Sequence, residues 1–351
     1  MPLTVDTLLA GPRGRRLCLE ILRLAPEHPE AVEATWAVSW AARALAENPG
    51  VVLVATSDGS PFTEPEVSPA KAAAALERVT VPEMSERLVD EALTIAVDLA
   101  AYWQPPAGED VLAAREELRP VLERVAAAVV DAPGTRWWGS PLACDAQATV
   151  RWEGERPSPD TPDGITTRWR DDQAAEEIQF AQQIDDTRLT GSWWSTPASR
   201  LPRSTRTRGS AGPSGLVLVE DSLGWTSAFV QPIATPVGDV IEIDGPDDWA
   251  ALCHRHPFSV TASRQNVWRW TTGREGMWVQ PDWSAVAREA VGVHLSVVGY
   301  LATSGRVIDL GDLGASTVAG WGPDETFWFT PVEPSAPMQE WVRVDERWVR
   351  A

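Results

Sequence analysis

Through the first 135 positions, apolar residues recur at three- and four-residue steps, the period of helices packed by one face. From Pro12 this places Leu17, Ile21 and Leu24 together, with Cys18 and Leu22 beside them, which predicts a helix over 12–25. A second helix is expected to start near Pro29, to carry Val32, Trp36, Trp40 and Leu45, and to stop at Asn48-Pro49-Gly50. The run 51–55 is short enough to be a strand. Ser68 before Pro69 predicts an N-cap and a first helical turn. Thr80-Val-Pro-Glu83 fits a capping box ahead of Leu88, Ala92, Ala96, Leu99 and Trp103, ended by Gln104-Pro105-Pro106. A last helix is expected over 110–131, restarted near Pro120.

The pattern then changes. Residues 147–153 alternate as a strand does, 155–164 read as a solvent loop, and a helix is expected over 171–184. Further strands are predicted at 215–220, 225–231, 239–243, 291–298, 317–321 and 326–330, and short helices at 246–254 and 282–290. The stretch 201–215, low in apolar residues and holding Arg203, Arg206 and Arg208, predicts a mobile loop. The tail 341–349 predicts a hairpin or strand. The fold class expected is α+β: an N-terminal helical bundle over 1–135, followed over 136–351 by a Trp-rich α+β domain with a mixed, mostly antiparallel β-sheet and short helices.

Composition sharpens this division. Of 19 Trp in 351 residues, all but Trp36, Trp40 and Trp103 lie from Trp137 onward, beside only 6 Phe and 2 Tyr. The net charge of −20 disfavours nucleic acid and anionic membranes, and favours cationic small molecules or basic proteins as partners. There is one lysine, Lys71, so a P-loop is excluded. No 18-residue apolar run occurs, and an Arg cluster follows the first apolar stretch rather than preceding it, so a cytoplasmic protein is expected. Cys18, Cys144 and Cys253 are too few and too dispersed for a disulfide framework. No His-Glu-x-x-His or paired Cys-x-x-Cys is present, and neither a metal nor a cofactor is expected. The Cys253-His254-Arg255-His256 cluster reads as a helix C-terminus, where cations face the last carbonyls.

Candidate chemistry sits in four places. Ser192-Trp193-Trp194-Ser195 combines two flat rings with hydroxyls, which suits a sugar, a nucleobase or a cation. Residues 268–283, with Trp268, Trp270, Trp278 and Trp283 spaced by Gly273 and Gly276, predict an aromatic surface loop. His294, on an apolar strand beside Ser296, is a candidate general base. Glu242, between Ile241 and Ile243, is a candidate functional acid; Glu220, Asp221, Asp244 and Asp282 are further acids at element ends.

The order of an Arg, then Ser195-Thr196, then Glu242 on a later strand resembles ADP-ribosyltransferases, in which an Arg, a Ser-Thr-Ser strand and a catalytic Glu line a nicotinamide pocket. Here Pro197 follows Ser195-Thr196, and Glu242 stands in Val-Ile-Glu-Ile. The leading expectation is a protein that binds a small molecule or a protein partner through a Trp-lined cleft formed by Trp193, Trp194, Ser195, Trp268, Trp270, Trp278 and Trp283. The alternatives are an enzyme transferring a glycosyl or ADP-ribosyl group with Glu242 or His294, and an acidic inhibitor of a basic partner.

Overall fold

A computed structural model describes residues 1–25, 29–47, 49, 64–156, 158–182, 191–345 and 347–351. The candidate strand at 51–55 lies outside the described residues. The first part is helical: α1 (Val5–Ala10), α2 (Pro12–Arg23), α3 (Pro29–Leu45), α4 (Pro69–Arg78), α5 (Glu86–Asp98), α6 (Gly108–Ala113) and α7 (Arg119–Asp131). Proline stands in the first turn of α2, α4 and α7, where its missing N–H leaves no bond unmade. The Ser68 hydroxyl accepts from the Lys71 amide at 3.3 Å.

Two helical expectations are corrected. Ser85, not Thr80, caps α5, its hydroxyl accepting from the Leu88 amide at 3.2 Å. Pro82 disfavours helical geometry at Val81, so the helix starts only beyond it. In α3 the buried face is Ala31, Ala34, Val38, Ala41 and Ala42, while Val32 and Trp36 face outward. Small side chains win this face because α6 comes very close. A Cβ on Gly108 would lie 2.0 Å from the Ala42 carbonyl oxygen.

The remainder alternates β1 (Gln147–Trp152), α8 (Pro162–Ala181), β2 (Arg203–Arg206), β3 (Ser227–Ala234), β4 (Val240–Ile243), α9 (Pro246–Arg255), β5 (Pro257–Ser259), α10 (Thr261–Thr272), β6 (Val279–Pro281) and α11 (Trp283–Val286). It continues through β7 (Gly292–Leu295), α12 (Val297–Thr303), β8 (Ile308–Asp309), β9 (Ala315–Ser316), β10 (Glu325–Trp328), β11 (Glu333–Pro334), β12 (Gln339–Val344) and β13 (Arg347–Arg350). The main sheet runs β13-β12-β3-β1-β2-β10-β7-β4, with β11 paired to β3. Its pairings are antiparallel except β4 with β7. The fold is therefore α+β with a mixed, mostly antiparallel sheet.

The predicted mobile loop at 201–215 instead supplies β2, a central strand. Ser204 and Thr205 are buried, while Arg203 meets Glu325 at 3.4 Å and Arg206 meets Asp324 at 3.4 Å. Cross-strand carboxylates thus neutralise the cations that made the segment look solvent-bound. Residues 215–220 and 317–321 form no strands. Residues 291–298 divide between β7 and α12, because the Ser296 hydroxyl accepts from the Gly299 amide at 3.0 Å and caps a helix there.

A single large apolar cluster joins helix residues such as Leu17, Leu93 and Val125 to sheet and C-terminal residues such as Val293, Leu295 and Phe327. Trp249, Trp283 and Trp321 meet edge to face within it at 5.9, 6.3 and 5.8 Å. Each indole N–H is satisfied: Trp249 donates to Ser316 Oγ, Trp283 to the Ser195 carbonyl and Trp321 to the Glu325 carbonyl. Residues 268–283 are therefore not the expected surface loop. They form α10 and β6, with Trp268, Trp278 and Trp283 fully buried. Much of the Trp enrichment builds the interior, because an indole fills more space than any other side chain. Among the described residues, no helix is long and apolar enough to cross a membrane.

Candidate functional site

One face of the central sheet carries a cavity. Register places Ala148, Thr205 and Glu325 abreast on β1, β2 and β10. Val150, Trp152 and Arg203 fall on the same face at alternate positions. A turn at Ser214–Leu216 crosses above, pinned by the Gly215 amide donating to Thr205 Oγ1 at 2.8 Å. The chain then runs to Glu220 and is anchored on the end of α5. There the Asp221 amide donates to the Asp98 carbonyl at 3.1 Å, and the Ser222 amide to the Asp98 carboxylate at 3.0 Å.

The facing wall is Trp193. Its neighbour Ser195 is paired with Ala319 in both directions, amide to carbonyl and amide to Oγ, each at 3.0 Å. This brings Gly320 so close that a Cβ there would lie 2.7 Å from Trp194 Cβ; its φ of +79° also requires glycine. Between these walls lies a cavity of about 230 Å³ lined by Trp152, Trp193, Arg203, Thr205, Glu220 and Glu325, among others. Trp152 is backed by Trp225, stacked at 4.5 Å and nearly parallel.

The two carboxylates have unlike surroundings. The Gly320 amide donates to Glu220 Oε2 at 2.7 Å, whereas Oε1 is shut off from solvent and has no hydrogen bond of good geometry. Burial pushes the Glu220 pKa up to about 8; the Tyr300 hydroxyl, the Gly320 amide and Arg13 ease that shift, and Glu325 adds to it. At neutral pH Glu220 holds a proton. Glu325 is also raised by burial, but Arg203 and the Gly322 amide counter this. Tyr300 and Tyr102, the chain's two tyrosines, are buried behind Glu220 with Arg13, and burial holds both phenols protonated.

Of the residues expected to form the binding cleft, Trp193 lines this cavity. Trp194 is exposed and meets Trp193 edge to face at 5.8 Å. Ser195 is buried and ties the wall to Ala319. Trp268 donates to the Trp193 carbonyl at 2.7 Å, Trp278 packs on Trp268 at 5.4 Å, and Trp283 holds the Ser195 carbonyl. These three lie in the core behind the wall and do not line this cavity. Trp270 is half-buried on α10 and does not line the cavity.

Glu242 and His294 come together, but elsewhere. They stand in register on β4 and β7, and His294 pairs across to Thr326, the residue after Glu325. Side chains alternate along a strand, so they occupy the sheet face opposite the cavity. His294 Nδ1 lies 2.5 Å from Glu242 Oε2, and Nε2 lies 3.6 Å from Asp324 Oδ1. Burial alone would lower the His294 pKa; Asp324 and Glu242 overcome it and hold the ring at about 9. A closed-in imidazolium has no free lone pair to act as a general base. Glu242 Oε1 also accepts from the Leu142 amide at 3.0 Å, and Arg206 caps Asp324. This network ties the strands to the loop before β1. The His254–His256 segment closes α9 as expected, with His256 Nε2 3.1 Å from Glu289.

The cavity's polar groups were mostly invisible in the sequence. Glu220 is one acid among many, Glu325 precedes an ordinary strand, and Arg203 lay in an apparent loop. The one local signal is Gly320-Trp321-Gly322, two glycines flanking a tryptophan where backbone approaches backbone. Among the described residues, no group of three His, Cys, Asp or Glu stands where it could hold a metal ion. Comparison with protein-family models, curated proteins and solved structures finds no match to this chain.

Proposed function

We propose that this chain binds a small polar ligand in the cavity between Trp152 and Trp193, oriented by Glu220, Glu325 and Arg203. The observation that supports this is the cavity itself, where two indole walls, one arginine and two carboxylates converge. Apolar walls with a few aimed polar groups are what small-molecule sites have in common. The test is crystal soaking with a small-fragment set on the wild type and on Ala148→Leu, which fills the floor. Fragments should occupy the wild-type cavity and be lost from the variant. An empty cavity throughout rejects the reading.

One observation favours a second reading. Glu220 holds a proton while Glu325 faces a guanidinium, and two carboxyls with unlike surroundings can divide the acid and nucleophile or base roles at a glycosidic bond. This moves the transferase expectation from Glu242 to Glu220 and Glu325. Release of nitrophenol from a panel of aryl glycosides, abolished in Glu220→Gln and Glu325→Gln, would support it. No turnover by the wild type would end it.

A further inference from the structure

We propose that the ligand class is a small organic cation, an ammonium group on a flat apolar body, with the nitrogen between Glu220 and Glu325 and the body against Trp193 and Trp152. This rests on the cavity being a binding site and adds its chemistry.

Three observations point the same way. Glu220 and Glu325 both line the cavity, and Arg203 stands beside Glu325 while no cation pairs with Glu220 among the described residues. A carboxyl that lines a cavity with no cation beside it leaves room for a charged donor, whose hydrogen bond to a carboxylate is stronger than a neutral one. Indole walls attract cations through the ring face, and a flat body gains area against them. The net charge of −20 raises the local concentration of cations and repels anions.

The groups around Glu220 decide the proton count. From β10 it meets Glu325, from α12 Tyr300, from the segment after α5 Tyr102, from α2 Arg13, and from the loop before β10 the Gly320 amide. Arg13 is already committed to Asp110, and Arg203 stands beside Glu325 at 3.4 Å. No cation makes a direct ion pair with Glu220 among the described residues, and burial keeps its carboxyl protonated at neutral pH. A ligand ammonium takes its place. The Glu220 carboxyl gives its proton to solvent and becomes the carboxylate that pairs with the nitrogen. One proton leaves for each cation that enters, and no covalent bond other than O–H changes.

Titration calorimetry with benzylamine, benzyl alcohol and benzoate tests this. At pH 7, benzylamine should bind at least about tenfold tighter than benzyl alcohol, the size expected for a charge-assisted contact. Repeating the titration in two buffers of different ionisation enthalpy should show close to one proton released. Its affinity should climb as pH rises toward 8, and Glu220→Gln should remove both the preference and the proton release. Equal binding of amine and alcohol, or amine binding without proton release, overturns the cation assignment and leaves the cavity as a binding site for neutral ligands. Binding of none of the three overturns the assignment too, and fragment soaking then decides separately whether the cavity binds anything. The proton count is read on the wild type, so it does not depend on a variant folding.

Discussion

Glu242 and His294 sit side by side on the parallel strand pair β4–β7 of the main sheet, 2.5 Å apart, on the face turned away from Glu325. Both were legible as candidates for chemistry. What the structure makes of them is a chain of charged groups, Glu242 to His294 to Asp324 to Arg206, that ties edge strand β4 to β7 and on to β2. The carboxylates that face an open space are different ones, one strand position away in the case of Glu325.

His294 should make stability pH-dependent. Its folded-state pKa of about 9 lies above the ordinary 6.5, so the folded chain binds the proton more tightly. The resulting stabilisation is complete below pH 6.5 and is lost as pH rises through 9. Its size is at most about 3 kcal/mol. Urea unfolding at pH 6, 7.5 and 9 should show this decline, and His294→Gln should remove the part that falls between 6.5 and 9. An unchanged profile in the variant would show that the histidine is not held charged.

Trp283 stands in the interior, whereas Trp193 stands on the cavity wall. It is fully buried, packs edge to face on Trp249 and Trp321, and holds the Ser195 carbonyl. Trp283→Ala should cost about 3–5 kcal/mol in denaturant unfolding. Trp193→Ala removes a half-buried wall and should cost less, while weakening any cavity ligand more. The reverse ranking would return the 268–283 segment to the role of a binding surface.

Legibility followed the range of the interactions. Helices α2, α4 and α9 were readable because their first-turn prolines and apolar spacing are local. Strand β2 was not, since Arg203 and Arg206 look solvent-bound until Glu325 at the start of β10, and Asp324 just before it, arrive more than 100 residues later. The inward face of α3 was misread because Val32, Trp36 and Trp40 outrank alanine in hydrophobicity, whereas close packing on Gly108 selects for smallness. Trp193, which lines the cavity, stands out in the sequence through its neighbours alone. Its partners come from four separate segments: sheet register aligns Trp152, Arg203 and Glu325, and the anchor on Asp98 brings in Glu220.

Gly320 holds the cavity wall, and its role is separable from ordinary glycine flexibility. Gly320→Ala forces a residue with φ of +79° and places a Cβ 2.7 Å from Trp194 Cβ. Gly311 also has positive φ, +58°, but open space around it. Gly311→Ala should cost only the conformational part, about 1 kcal/mol. Gly320→Ala should cost roughly 2–4 kcal/mol and also move the amide that holds Glu220 Oε2. Thermal unfolding of the two variants checks the difference; equal losses would mean that the wall yields without resistance.

Glu220 is predicted to work against the fold at alkaline pH. Its carboxyl is raised by burial from 4.5 to about 8, so the folded chain again binds the proton more tightly than the unfolded one. Stability therefore falls as pH climbs from 4.5 to 8, a lower and wider window than that of His294. Glu220→Gln keeps the shape without the charge. It should flatten that part of the profile and stabilise the chain above pH 8 by about 1–3 kcal/mol. The infrared band of a protonated carboxyl should be present in the wild type at pH 7 and weakened in the variant. If Glu220→Gln instead destabilises at every pH and the band is unchanged, Glu220 is ionised and paired in the fold. The site would then have no proton to exchange.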